Sequence, residues 1–308
     1  MKKLTLLVVF GTSILSTIGY AQINNLSKAD SLRNEYKFDL AIQEYASIHF
    51  KEPENHKNTY NYASALALTK NVDSAFHYLT IAIKEDSTIK ALTDPDLYFL
   101  IKDDRWREIE NSIIMKVEDK NGKFENIELA KKLWKIFIID QSALAMYNYY
   151  LPKYGENSPL IIALLDYKEM MWKETIATLD EIVLSSGWPK ISEVGDQAAA
   201  AAWLTVQHSD LITQKRYIPI IQEAFEINEI KNTWFAMFVD KVKYNEGLPL
   251  IYGEVIPNED LVYFIPEIFE PEYVNQRRKE IGLMPIEDYY KMIYNITKLK
   301  WTIEQKEK

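Results

Sequence analysis

His208 is the only histidine after residue 77, and its near-neutral titration makes it the best general acid or base in that part of the chain. It follows Ala198–Ala202, five consecutive alanines. Such a run favours helix and leaves a thin face that a neighbouring helix can approach. The spacing predicts a buried helix on which His208 shares a face with Ala200 and Leu204, while Gln207 sits with Trp203. Two carboxylates fall inside apolar helical stripes. Asp140 lies three residues after Phe137 and four before Leu144, and Asp240 lies among Trp234, Phe235, Phe238 and Val242. A carboxylate on a packing face is costly unless it is paired or hydrogen-bonded, so each needs a partner. Gln141 adjoins Asp140 on the neighbouring stripe with Trp134 and Phe137. Two readings stay open: catalytic acid–base groups, or polar clamps between helices with His208 as a satisfied core donor. Zero cysteines exclude disulfides, thiolate metal sites and a cysteine nucleophile. With one histidine in this region and no HExxH pattern, no metal or other cofactor is expected.

The elements that must hold these residues are helical. At 308 residues, the chain has room for two domains of roughly 150 residues. Its 47% hydrophobic and 26% charged residues are ordinary globular values. Nine glycines are under half the usual share of about 7%, which argues against a glycine-rich β-protein or phosphate-cradling loops. The start, Met1-Lys2-Lys3 followed by the apolar Leu4–Phe10 run and Gly19-Tyr20-Ala21, has the layout of a secretory signal peptide cleaved before Gln22. Its apolar part is short for the ~20 residues that span a bilayer, so no transmembrane span is expected in the mature chain. Export without cysteine fits a periplasmic or secreted bacterial protein. Removing residues 1–21 removes two lysines and no acids, so the balance becomes 34 − 45 = −11. Such a surface repels nucleic-acid phosphates, and no nucleic-acid partner is expected.

An internal period organises the first third. Ala41, Tyr45, Ile48 and Pro53 recur 34 residues later as Ala75, Leu79, Ala82 and Ser87. Polar turns precede both copies, Tyr36–Asp39 and Lys70–Asp73, and a third, shorter unit is read with helices opening at Asp94-Pro95 and Asp104–Trp106. This pattern resembles the tetratricopeptide repeat over about Leu26 to Ile114, with Ala63 where the repeat has glycine and Ser87 where it has proline. The resemblance implies a protein- or peptide-binding groove between first helices, lined here by Tyr60, Asn61, Ser64 and Ala67. Equally open is a role in which the repeats only cap and orient the rest of the chain. Charged Lys116–Glu125, with Asn121-Gly122, reads as a linker.

Beyond it, helices are expected over Ser158–Tyr167 and Met170–Ser185, with a stop at Gly187-Trp188-Pro189. Others are expected from Asp196, Pro219 and Asn232 and over Ile286–Lys298, with a proline-punctuated, aromatic excursion after Gly247. In order, Asp140-Gln141, Gly187-Trp188-Pro189, Gly195, the alanine run, Gln207-His208, Asp240, Tyr252-Gly253 and Arg278 with Gly282-Leu283 resemble an uncharacterised bacterial domain of unknown function, over roughly Asn126 to Tyr290. The resemblance implies that Asp140, Gln207, His208, Asp240, Tyr252 and Arg278 form one constellation. Lys241 stands where that pattern has arginine.

The expectation is therefore an all-α protein: a short tetratricopeptide-like array packed on a C-terminal helical domain. Its parts are a signal peptide (1–21), repeats (22–115), linker (116–125), helical domain (126–300) and tail (301–308). Two functions are in contention. One is an exported module binding a protein or peptide. The other is a hydrolase using His208 with Asp140 or Asp240, with Gln141, Gln207, Tyr252 and Arg278 holding substrate.

Overall fold

A computed structural model describes residues 27–254, 256–257, 263–297 and 302–303. The expected leader over 1–21 and most of the tail lie outside the described residues, as does the middle of the aromatic excursion. The fold is all-α, and two compact units account for it. One comprises Asn25–Thr178 with Ser192–Ala201, the other Leu179–Ile191 with Ala202–Lys308.

The first unit begins with α1 (Lys28–Asn34), whose start is capped by the Ser27 hydroxyl accepting the Asp30 N–H at 3.1 Å. Then come α2 (Phe38–Lys51), α3 (His56–Leu68), α4 (Val72–Ala82) and α5 (Trp106–Asn121). Helix α1 packs on α2, and α3 packs between α2 and α4. Ala41 and Ala75 are fully buried, as are Tyr45 and Leu79 one turn on. The small residue admits the neighbouring helix and the large one fills the space beside it. The starts of α2, α4 and α5, at Phe38, Val72 and Trp106, fall at the 34-residue spacing read in the sequence. The turns before α2 and α4 each hold a residue with positive φ, Tyr36 at 58° and Lys70 at 60°.

Two expectations fail here. No α-helix opens at Asp94-Pro95. Three 3₁₀ turns, Lys90–Thr93, Pro95–Leu97 and Leu100–Lys102, occupy that stretch. The Asp94 carboxylate accepts the Asp96 N–H at 3.0 Å, a local bond that competes with helix formation. Nor does the charged run from Lys116 to Glu125 behave as a linker over its first half. Helix α5 continues through it because Ile113 and Val117 still bury its inner face, and it stops at Gly122 with φ 91°.

Helix α6 (Ile127–Tyr154) is capped by Asn126 and packs on the 3₁₀ turns 90–93 and 95–97. Its far end reaches the turn before α2: the Tyr149 hydroxyl donates to the Glu35 carbonyl at 3.1 Å, and the Tyr36 and Tyr149 rings lie 3.6 Å apart. Helix α7 (Pro159–Ser186) runs unbroken where two helices were expected. Lys168, which looked like a break, lies on its buried face with Ile161, Leu164 and Thr175. The helix ends where expected, at Gly187 with φ 78°.

In the second unit, Trp188 is buried and sets its ring edge-on to Tyr217 at 6.3 Å. The short α8 (Ile191–Val194) is followed by α9 (Asp196–Gln207), the alanine-rich helix, which falls in the first unit up to Ala201 and in the second from Ala202, with Ala198–Ala202 all buried as expected. Helix α10 (Leu211–Glu226) begins earlier than Pro219 suggested. The Asp210 carboxylate caps it by accepting the Thr213 N–H at 2.8 Å, and exposed Pro219 is tolerated inside. Helix α11 (Asn232–Asn245) packs on α10. Helices α12 (Val274–Glu280) and α13 (Ile286–Thr297) close the helical part and pack on each other. A small sheet pairs β1 (Ile256–Pro257) with β2 (Tyr263–Ile265) antiparallel, and β2 with β3 (Thr302–Ile303) parallel. Among the described residues no helix is long and apolar enough to cross a membrane.

Candidate functional site

The second unit holds the densest set of buried charges. Asp240, on α11, is completely buried. Its carboxylate accepts backbone N–H groups from the following loop: Ile251 at 2.7 Å, Tyr252 at 3.0 Å and Glu254 at 2.8 Å. Burial pushes its pKa up to about 6, against the stabilising pull of those three N–H groups and of Arg278. Arg278, on α12, is buried too. Its Nε donates to the Met284 carbonyl at 2.8 Å, and its Nη1 to the Tyr252 carbonyl at 2.7 Å and to Glu254 Oε1 at 3.1 Å. The Tyr289 ring lies under its guanidinium at 4.7 Å. Burial raises Glu254 to about 7, offset by the Tyr289 hydrogen bond and by Arg278.

The loop bearing Tyr252 is thus stapled from both sides, by a carboxylate to its N–H groups and by a guanidinium to its carbonyl. Gly253 sits at the tightest point with φ 72°. The Tyr290 hydroxyl donates to its carbonyl at 3.0 Å, and a Cβ there would meet Ile286 Cδ1 at 2.4 Å. Gly253→Ala is expected to cost about 1–3 kcal/mol, read as a lowered urea midpoint in far-UV circular dichroism.

Of the six residues that the resemblance implied as one constellation, the structure brings Asp240, Tyr252 and Arg278 together, as a brace. Asp240 spends its oxygens on the loop, and Arg278 spends its donors on two carbonyls and Glu254. Glu254, the fourth member, was not singled out in the sequence.

Gln207 and His208 are buried at the end of α9. The Gln207 carbonyl accepts Gln214 Nε2 at 3.0 Å, and Gln214 Oε1 accepts Asn245 Nδ2 at 2.8 Å. Upstream, Trp203 Nε1 donates to the Trp234 carbonyl at 3.0 Å, and the two indoles stack at 5.6 Å. Lys241 is 6% exposed, and burial lowers its pKa to about 7.

In the first unit, Asp140 is buried on α6 and accepts Gln141 Nε2 at 2.6 Å. Lys168 of α7 lies buried near it, its ammonium 4.0 Å from the Tyr147 ring centre and 4.7 Å from that of Trp172. Burial lowers Lys168 to about 8, and Asp140 opposes that fall. Sequence reasoning named Lys241 only as a departure from a pattern and did not single out Lys168, though spacing held a signal of burial: Lys168 follows Leu164 by four, and Lys241 follows Phe238 by three.

The residues expected to line a peptide groove are placed otherwise. Tyr60, Ser64 and Ala67 are buried in α3. The Tyr60 hydroxyl donates to Asp94 at 2.7 Å and Asn61 to Asp30 at 2.9 Å. They hold the helices together and offer little open surface, because α3 is sandwiched between α2 and α4. Among the described residues no group of acidic residues and histidines is placed to hold a metal ion.

A protein family described as "Family of unknown function (DUF6624)" matches residues 164–302, so the chain carries a domain of unknown function there. The match begins later than the expected Asn126, which leaves Asp140 and Gln141 outside it and takes in Lys168, Lys241 and the whole brace. No curated protein and no solved structure matches the chain.

Proposed function

We propose that this chain is an exported helical-repeat protein that binds a protein or peptide and carries a DUF6624 domain. The tetratricopeptide-like character is supported by helix starts at Phe38, Val72 and Trp106 and by the paired positive-φ turns. Export to the periplasm or medium rests on the leader-like start of the sequence.

The observation that carries the binding reading is an aromatic cluster in the first unit. Tyr36 contacts Phe38, Tyr149 and Tyr150, and Tyr150 contacts Tyr154, with ring centres 3.6–5.9 Å apart. Leu40, Met146 and Tyr154 beside or within it are exposed. Tyrosine is over-represented at interfaces because it buries a large rigid area while its hydroxyl stays hydrogen-bonded. This surface replaces the first-helix groove as the docking face. The test is crosslinked capture from the native cell envelope with the wild-type chain and with Tyr150→Ser/Tyr154→Ser. A partner held by the wild type and lost by the variant, with unchanged circular dichroism, supports the reading. Equal capture, or none by the wild type, overturns it.

The hydrolase reading with His208 loses Asp240 as its orienting carboxylate, because Asp240 cannot meet an imidazole without releasing the loop N–H groups it holds.

A further inference from the structure

Lys241 is a buried cation with no ion pair or hydrogen bond among the described residues, and it does not stand alone. On α11, Trp234, Lys241 and Asn245 are spaced seven and four apart and share one face. At one end of that face the stacked Trp203 and Trp234 fix α9 against α11. At the other, Asn245 is tied through Gln214 to the Gln207 carbonyl. Along α11, Lys241 lies between these two ties.

Two further groups there are idle. The side-chain oxygens of Gln207 and Asn245 are sealed from solvent without a hydrogen-bond partner among the described residues. The orientation of Asn245 is set, because Gln214 donates to a carbonyl and must therefore accept from the Asn245 amide nitrogen. Its oxygen is left facing away. A buried ammonium without an anion and buried amide oxygens without donors are each costly. Their clustering is the mark of a site whose complement is a ligand.

We infer that Lys241, Gln207 and Asn245 form a binding site for a small carboxylate that carries its own O–H or N–H donor, such as a hydroxy acid or an amino acid. One ammonium matches one negative charge, and the two amide oxygens match the donor. A phosphate fits less well, since the second charge it carries in its dianionic form finds no cation. The inference does not depend on the partner-binding reading, which concerns the other unit.

The test is calorimetric titration of the full chain with glycolate, glycine, acetate and inorganic phosphate. Glycolate or glycine is expected to bind with Kd of about 1 mM or tighter. Acetate, lacking the donor, and phosphate are expected to be at least about tenfold weaker. Lys241→Met and Gln207→Leu each remove a polar group that has no partner in the fold, so both variants should fold, and both should weaken binding by about tenfold or more. Which of glycolate and glycine binds more tightly identifies the donor. Binding of neither, acetate binding as well as glycolate, or binding unchanged in Lys241→Met would overturn the inference.

Discussion

Lys241→Met is expected to stabilise the protein by about 4 kcal/mol at neutral pH, an unusual sign for a core substitution. The fall from the ordinary value of 10.5 to about 7 comes from burial alone, and at 1.36 kcal/mol per pKa unit it amounts to about 4–5 kcal/mol. Methionine fills much the same volume without the charge. The sign of the pH dependence follows from proton counts. Between about pH 7 and 10.5 the unfolded chain holds the Lys241 proton that the folded chain has lost, so stability rises with pH there. Lys168, lowered to about 8, acts in the same direction.

The buried acids act oppositely. Asp240 and Glu254, raised to about 6 and about 7, hold protons in the folded chain that the unfolded chain releases from about pH 4 upward. Their contribution is complete below that and is lost as pH climbs through 6 and 7. The two sets together place a stability minimum close to neutrality. Urea unfolding from about pH 5 to about pH 10 should trace that trough in the wild type, and Lys241→Met should flatten its alkaline wall. A wild-type profile that peaks at neutrality would contradict the burial of these four groups.

Asp240→Ala is expected to have the largest destabilising effect, about 3–5 kcal/mol. The methyl group leaves the N–H groups of Ile251, Tyr252 and Glu254 without their acceptor. Arg278 loses the neighbouring negative charge as well. Asparagine is no remedy, since its amide nitrogen would face an N–H donor. The loss should appear in the urea midpoint and in rapid hydrogen exchange at residues 251–254. Exchange at those amides that stays slow in the variant would show that the brace does not depend on the carboxylate.

The helical class, the 34-residue spacing, the alanine-rich helix and the stop at Gly187 were all legible in the sequence. Each is local and written in steric terms. Harder to read was every case in which tertiary packing outweighed a local cue. Lys168 looked like the gap between two helices because lysine normally seeks water, yet the Tyr147 and Trp172 rings cover its ammonium. Pro219 looked like a first turn, but the Asp210 cap sets the start of α10 two turns earlier. Asp94 looked like a helix cap, but its hydrogen bonds favour 3₁₀ turns. Of the six residues expected to form one constellation, Asp240, Tyr252 and Arg278 meet. That they are bound to main chain instead of solvent depends on contacts with Glu254 and Met284 that no spacing rule announces. Tyr60, Ser64 and Ala67 share one helix, and spacing alone does not tell its buried side from its open one.

The family match opens at Leu164, five residues into the 28-residue helix α7. A fragment cut at that point would begin mid-helix, stripped of the turn that holds Ile161 and of the Ser158 hydroxyl that receives the Ile161 N–H at 3.2 Å. Anyone expressing this domain by itself should therefore start upstream of Ser158, since a shorter piece would expose raw backbone donors and fray toward Lys168.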